Sequence, residues 1–335
     1  MLDDQPLSIA NQKTGSSQNT GTGMLKNFSP ESLGINGRQS ELIELALTYG
    51  FVSMDVDMYE IMRRSRRTTT EDATKFLRAA LGEGMGRMEQ IGGFLVEIDL
   101  DADDEAFTSQ VGALHPLADL AADFNATRAY IKLPATTDRL PYHEFFEIQR
   151  DRLNQVGETL ASKGIRLGVS FDGTTDLPDA KQFEFIRNVE GLIAIVKAVG
   201  SDNVGYVIDT FDWALGQGGM DQLAEIPGDA IVAVRLGSIA EDADPASATR
   251  LDCVLPTKEG GLEHVAIVKH LIAAGYEGPI APSASSTRYK GQTRENTVKD
   301  SQEAIDAICS EAGIEVRPLP MDVIEDIPIE PTPMV

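Results

Sequence analysis

Read for its apolar positions, the chain alternates between two periods. Short runs rich in β-branched and aromatic residues recur at Leu33–Asn36, Ser53–Asp57, Gly93–Leu100, Arg128–Leu133, Ile165–Phe171, Val204–Asp209, Ile231–Leu236 and Pro279–Ser283, and each is predicted as a strand. Each is followed by apolar residues at helical spacing, as in SELIELALTYG after the first run, FEFIRNVEGLIAIVKAVG after the fifth and LEHVAIVKHLIAAGY after the seventh. Gly50, Gly164, Gly200, Gly275 and Gly313 close several of these helices, where a left-handed residue is wanted. Eight β units alternating with eight α units predict an α/β fold of the (β/α)8 TIM-barrel kind. A doubly wound open sheet is the competitor. Its first strand normally leads into a Gly-x-Gly-x-x-Gly turn, which GINGRQS is not, and GEGMGRME sits at a helix end.

The flanks have a different texture. Residues 1–28 are rich in Ser, Thr, Asn, Gln and Gly and read as a flexible tail. Residues 29–314 form the expected barrel, and 315–335 an extended, proline-rich tail suited to contacts between subunits of a homo-oligomer. The N-terminal stretch lacks the basic flank and apolar core of a secretory signal, and no apolar run approaches the ~20 residues of a membrane span, so a cytoplasmic location is expected.

Charge narrows the function classes. With 29 Lys+Arg against 53 Asp+Glu, the net charge is −24, and the surface repels nucleic acid and anionic lipid. The run Arg63-Arg64-Ser65-Arg66-Arg67 reads as the solvated face of a helix. Cys253 and Cys309 have neither metal-ligand nor disulfide-framework spacing.

Barrel chemistry belongs at the C-terminal strand ends. There stand Asn36 and Arg38, Asp55 and Asp57, Glu97 and Asp99, Lys132, Ser170 and Asp172, Asp209 and Asp212, Arg235 and Ser238, and Ser283 and Ser285. Asp57 directly precedes a helix and reads as its cap. Alternation places Arg166, Gly168, Ser170 and Asp172 on one face, with Gly205, Val207 and Asp209, then Ile231, Ala233 and Arg235, then Pro279, Ala281 and Ser283, as inward sets. None of the four histidines falls on a strand end, and His143, His264 and His270 sit on helices. Trp213 either stacks on a sugar ring or closes the barrel top.

The segments IRLGVSFDG, NVGYVIDTFDWALGQGG, AIVAVRLGS and GYEGPIAPSAS, with SLGINGRQSELIELALTYGF before them, resemble the xylose-isomerase-like barrel superfamily over roughly residues 30 to 313. The resemblance implies a sugar isomerase, epimerase or related dehydratase of carbohydrate metabolism. It also implies a divalent cation held by a glutamate ending the fifth strand, an aspartate ending the sixth followed by a histidine, a histidine and companion aspartate at the seventh, and a glutamate at the eighth. Here those positions are Ser170, Asp209 with Asp212, Arg235 with Ser238, and Ser283, so only Asp209 matches. A guanidinium cannot be deprotonated to become a ligand, and one aspartate with serines is a poor set for a hard cation. Arg235 is therefore expected to replace the cation and pair with Asp209. The superfamily's endonuclease branch fits poorly, since it needs a histidine-rich metal cluster.

Three readings remain open. The barrel could be a pseudoenzyme, its metal site lost, that binds a small carbohydrate-like ligand or serves as a scaffold for a partner. It could be a metal-independent enzyme in which Lys132, Arg235 and Arg38 or Arg288 hold an anionic or hydroxylated substrate while Asp209, Asp172 or Glu97 moves a proton. Or Asp172, Asp209 and Asp212 could bind Mg2+ or Mn2+ at a displaced site. The candidate residues are Asp209, Lys132 and Arg235 for chemistry, with Glu97, Ser170, Asp172, Asp212, Trp213, Ser283 and Arg288 for substrate.

Overall fold

The structure is a computed structural model and describes residues 23–82, 88–175, 181–316 and 319. The C-terminal tail beyond these residues, most of GEGMGRME and residues 1–22 lie outside it. The first strand, β1, is Leu25–Phe28, inside the segment expected to be tail. Leu33–Asn36 is not a strand. Glu31–Leu33 forms a short 3-10 turn between Pro30 and a left-handed Gly34, and the fully buried Leu33 is what lends that stretch its strand-like pattern.

Among the described residues, seven further strands of the barrel wall follow: β2 (Ser53–Met54), β3 (Gln90–Ile91, resuming at Phe94–Leu95), β4 (Arg128–Lys132), β5 (Arg166–Ser170), β6 (Val204–Asp209), β7 (Ile231–Leu236) and β8 (Pro279–Pro282). The expected strands at Ser53–Asp57 and Gly93–Leu100 are thus shorter or shifted, while those for β6 and β7 coincide with the observed ends. All neighbours pair in parallel, in the order β3-β2-β1-β8-β7-β6-β5-β4 and back to β3. Closure happens within β3. Its first half pairs with β2, Met54 opposite Ile91, and its second half with β4, Phe94 opposite Ala129. The chain is an α/β TIM barrel.

Between the two halves lie Gly92 and Gly93. A Cβ on Gly93 would stand 2.3 Å from the Tyr130 ring, and one on Gly92 would stand 2.0 Å from Asn27 Oδ1. The glycine pair lets two inward polar side chains approach the backbone of β3 directly.

Helices α1 (Gln39–Thr48), α2 (Met58–Ser65), α3 (Thr70–Ala80), α4 (Asp104–Ala122), α5 (Tyr142–Ala161), α6 (Val189–Val199), α7 (Thr210–Leu215), α8 (Met220–Ala224), α9 (His264–Ala273) and α10 (Arg294–Glu311) surround the sheet. Side chains cap several of them, each accepting a backbone N–H that the first turn leaves without a helical partner. Asp57 takes the Glu60 N–H at 2.7 Å, and Asp103 and Asn188 act likewise. The five glycines named above all adopt positive φ, and Gly200 at 65° directly ends α6. Among the described residues no helix is long and apolar enough to cross a membrane.

The main core lies between the outer face of the strands and the helices, with Phe28, Phe94, Phe145, Leu153 and Ile305 fully or almost fully buried. A small second cluster, Tyr130, Val207, Val232 and Ala233, fills the barrel interior. A register shift in β7 between Ile231 and Ala233 turns both Val232 and Ala233 inward. Ile231, expected inside, therefore joins the outer core.

Replacing Gly93 by alanine should cost about 1–3 kcal/mol, because the added methyl collides with a ring that has nowhere to go. Urea unfolding checks this. A matching substitution at Gly112, where a Cβ meets nothing within 4 Å, should leave the fold intact.

Candidate functional site

The mouth of the barrel holds two polar sectors. The first lies over β4, β5 and β6. Asp209 ends β6 and caps α7, accepting from the Phe211 N–H at 3.0 Å and the Asp212 N–H at 3.4 Å. Asp212, on the first turn of α7, also accepts the Gly173 N–H at 3.1 Å. Its cationic partner is Arg250, from the loop between β7 and α9, whose Nη2 donates to both carboxylate oxygens at 2.6 and 2.5 Å. The same guanidinium lies 3.9 Å from Asp209 and 5.1 Å from the centre of the Phe211 ring.

Asp209 thus has a guanidinium beside it, but the expected donor is wrong. Arg235 is level with Asp209 in the β6–β7 ladder. Its guanidinium nevertheless turns over the Tyr130 ring, 5.4 Å from the centroid. Adjacent strands at one register put backbones side by side; they do not make long side chains meet. Arg250 comes from a loop with no spacing rule to reveal it.

Two carboxylates therefore share one guanidinium. Burial and the neighbouring Asp209 charge push Asp212 up to about 6, against the pull of Arg250. Arg250 moves the other way from what its burial alone would do, since Asp209 and Asp212 strengthen its hold on its proton. The two shifts are reconciled if the cation is permanent and the second carboxylate is the group that gives way in mild acid.

Lys132 and Asp172 form a separate pair at 2.9 Å. Asp172 also accepts from the Thr174 N–H and hydroxyl at 3.0 and 2.6 Å. Burial would raise its carboxyl, but Lys132 and Thr174 more than offset this and hold it well below the usual range. Ser170 donates to the Ile131 carbonyl at 3.3 Å. Ser283 is buried beside Cys253. Trp213 is 5% exposed and donates to the Gly219 carbonyl, which makes it a closure of the barrel top and leaves no face for a sugar. Arg288 is bound to Asp242, Asp252 and the Leu251 carbonyl and holds a surface loop. His264 is buried between Thr210, Thr257 and the Gly237 carbonyl, a structural position as expected.

The second sector lies over β1, β2, β3 and β7. A cavity of about 970 Å3 opens there, lined among others by Asn36, Asp55, Arg64, Glu97, Tyr130 and Arg235. Asp55 accepts from Asn27 Nδ2 at 2.9 Å and from the Tyr130 hydroxyl at 3.4 Å, while Ser53 Oγ donates to Asn27 Oδ1 at 2.9 Å. Burial raises the Asp55 carboxyl, against the nearby Arg235 charge and its hydrogen bonds from Ser29 and Asn27. Glu97 is an exposed rim residue whose N–H donates to the Tyr59 hydroxyl oxygen at 3.1 Å. Arg64, expected on a solvated helix face, reaches this cavity.

Of the residues singled out in the sequence, the first sector thus collects Asp209, Asp212, Asp172 and Lys132, while Arg235 and Glu97 belong to the second. Asn27 was hidden by the misplaced first strand. Tyr130 was also missed, although a signal existed: it lies two residues before Lys132 on β4 and so shares its face of the strand.

The model of the xylose isomerase-like TIM barrel family matches residues 43–314, and the chain belongs to that family. A xylose isomerase domain protein from Alicyclobacillus acidocaldarius subsp. acidocaldarius superposes with a TM-score of 0.74 at 20% identity, covering 86% of this chain and 99% of its own. The IolI protein, in a crystal structure with a bound zinc atom, gives 0.70 at 15% identity over 86% and 99%. D-psicose 3-epimerase with D-tagatose, from Clostridium cellulolyticum H10, gives 0.64 at 12% identity over 86% and 99%. These identities establish the shared fold alone. Among curated protein sequences, none matches this chain.

A divalent cation implied by the family resemblance does not fit the residues present at these strand ends. Ser170, Arg235 and Ser283 stand where the resemblance implies ligands, an arginine cannot be one, and Asp209 is turned to the α7 N-terminus with Arg250 beside it. The displaced set of Asp172, Asp209 and Asp212 does not converge either, because Lys132 holds the first and Arg250 the last. Among the described residues no three His, Cys, Asp or Glu side chains group as a metal would require.

Two outcomes follow. Arg250→Met should destabilise the protein by about 2 kcal/mol, less than a fully buried pair because the side chain is 39% exposed. Chemical denaturation checks it. The folded state also holds the Asp212 proton more tightly than the unfolded chain, so this group's contribution to stability is present below about 4 and lost as pH rises through about 6. Asp212→Asn should remove that falling component from a stability–pH profile, leaving the opposite contribution of Asp172, which is lost as pH falls.

Proposed function

We propose that this protein is a small-ligand barrel of the sugar isomerase/epimerase type, acting on or binding a sugar or sugar acid without a divalent cation at the ends of β5 to β8. One observation carries the reading. A guanidinium, Arg250, is fixed on Asp212 at 2.5 Å and stands 3.9 Å from Asp209, the one aspartate that matches the family's ligand pattern. An arginine cannot exchange its charge away, and a second cation there would meet direct repulsion.

The class of ligand follows from the family and from the cavity. Structural relatives of the same fold include L-ribulose 3-epimerase and a probable 3-DHS dehydratase, both enzymes named for small oxygenated substrates. The cavity offers guanidinium donors, a carboxylate and an aromatic face, the mixture that suits a hydroxylated molecule. Isomerisation and epimerisation need a base for a proton beside a carbonyl and a donor for the oxygen that gains charge, and neither role requires a metal. A partner-binding scaffold would instead expose an apolar patch on the outer helices. Of the four large apolar side chains most exposed among the described residues, Phe76 and Leu95 line the cavity.

Elemental analysis of the purified protein, after equilibration with Mn2+, Mg2+ or Zn2+ and desalting, tests the reading. The expected content is far below one metal per chain. One metal per chain, lost in Asp209→Ala, would overturn it and restore a metal-dependent isomerase.

A further inference from the structure

Three features of the cavity over β1 to β3 are left unused by a cation-free barrel alone. The first is charge without a partner. Arg235 at the end of β7 and Arg64 on α2 both line the cavity, both are half-buried, and among the described residues neither guanidinium is in an ion pair. That is unexpected in a chain with 53 acidic side chains against 29 Lys+Arg. The acidic groups nearby are otherwise disposed. Asp57 and Glu60 are engaged by Arg63, and Glu31 and Glu97 are exposed. A half-buried guanidinium loses hydration, and a carboxylate restores the lost interactions best because its two oxygens match the planar fork.

The second feature is an acceptor in the same lining. Asp55 and Arg235 both face the cavity and both neighbour Tyr130, Arg235 over its ring and Asp55 beside its hydroxyl, yet among the described residues the two are not in an ion pair with each other. Asn27 Nδ2 donates to the Asp55 carboxylate at 2.9 Å and holds it in place, with the Tyr130 hydroxyl oxygen 3.4 Å away. An ionised carboxylate only accepts, so a ligand group facing it must donate. The third is the floor. The Tyr130 ring lies beneath Arg235, and the side-chain-free Gly92–Gly93 backbone leaves room for that ring, whose hydroxyl donates to the Gly92 carbonyl at 3.0 Å.

A ligand that bridges these groups presents a carboxylate to Arg235 and a donating hydroxyl to Asp55. We propose that this cavity is the ligand site and that it takes a 2-hydroxy carboxylate of the sugar-acid class, the carboxylate on Arg235 and the adjacent hydroxyl donating to Asp55. Arg64, on the helix lining the same cavity, adds positive potential that favours the anion over a neutral sugar. The assignment rests on the small-ligand reading above and moves the site away from Asp209, toward β1 to β3, with Arg235 of β7 the one residue it shares with the ligand positions that the family resemblance implies.

Calorimetric titration of the full chain with D-gluconate, 2-deoxy-D-gluconate and D-glucose tests it. D-gluconate should bind in the millimolar range or tighter, with D-glucose at least ~10-fold weaker. Arg235→Gln should lose ~10-fold or more in gluconate affinity and Arg64→Gln ~3-fold, while Arg150→Gln, an equal charge change on the exposed face of α5, should lose nothing. The wild type should prefer gluconate to its 2-deoxy form by ~5-fold, and Asp55→Ala should abolish that preference. Arg64 sits on the surface helix α2, so its variant remains informative should Arg235→Gln fail to fold. Equal binding of gluconate and glucose, or gluconate affinity unchanged in both arginine variants, would overturn the site assignment while leaving the small-ligand reading in place. No binding of any of the three at about 20 mM would overturn both.

Discussion

The interaction on which the barrel mouth depends is the one guanidinium shared by two buried carboxylates. Asp209 and Asp212 stand on consecutive turns of backbone at the end of β6, each already committed to a helix cap or a loop N–H. Two such charges so close together would be costly to keep ionised. Arg250 offsets that cost, and in doing so it ties the long segment after β7 to the start of α7. The Gly173 N–H on Asp212 brings in the end of β5 as well. A cation supplied by the chain itself does the joining work that a bound ion could do elsewhere in this family.

That arrangement divides the labour of the mouth. Over β4 to β6 every charged group found in the sequence is paired: Lys132 with Asp172, Arg250 with Asp212 and Asp209. Over β1 to β3 and β7 the charges are spread around an open volume, and Arg235 rests on a ring, not on a carboxylate. Paired charges make a rigid rim. Unpaired ones keep their capacity to bind, and they lie in the second sector, where the proposed ligand would sit.

The fold was largely legible because parallel strands buried on both faces read as near-continuous apolar runs, and β6 and β7 fell where their patterns put them. The short strands were harder. β2 has only two residues, and β3 is split, so neither leaves a period to read. Leu33 looked like strand because a buried leucine in a turn carries the same apolar signal as one in a sheet. At the site, the departure of Ser170, Arg235 and Ser283 from the ligand types that the family resemblance implies could be seen in the sequence, but the partner of Asp209 could not. Arg250 arrives through a loop whose path depends on tertiary packing, and a ladder position such as that of Arg235 says nothing of where a flexible side chain ends.

The split in β3 has a mechanical side. A barrel resists deformation through its continuous ladders, and the pairings of β4 to β7 run for several residues each. At β3 the closure consists of two short ladders on opposite neighbours, joined by two glycines with no side chains to lock them. The ladders of β1 are equally short, so the wall from β1 to β3 carries fewer strand pairings than the wall from β4 to β7. The cavity opens over the sparsely paired side, with Asp55 and Tyr130 in its lining, and the Arg250 rim stands over the densely paired one.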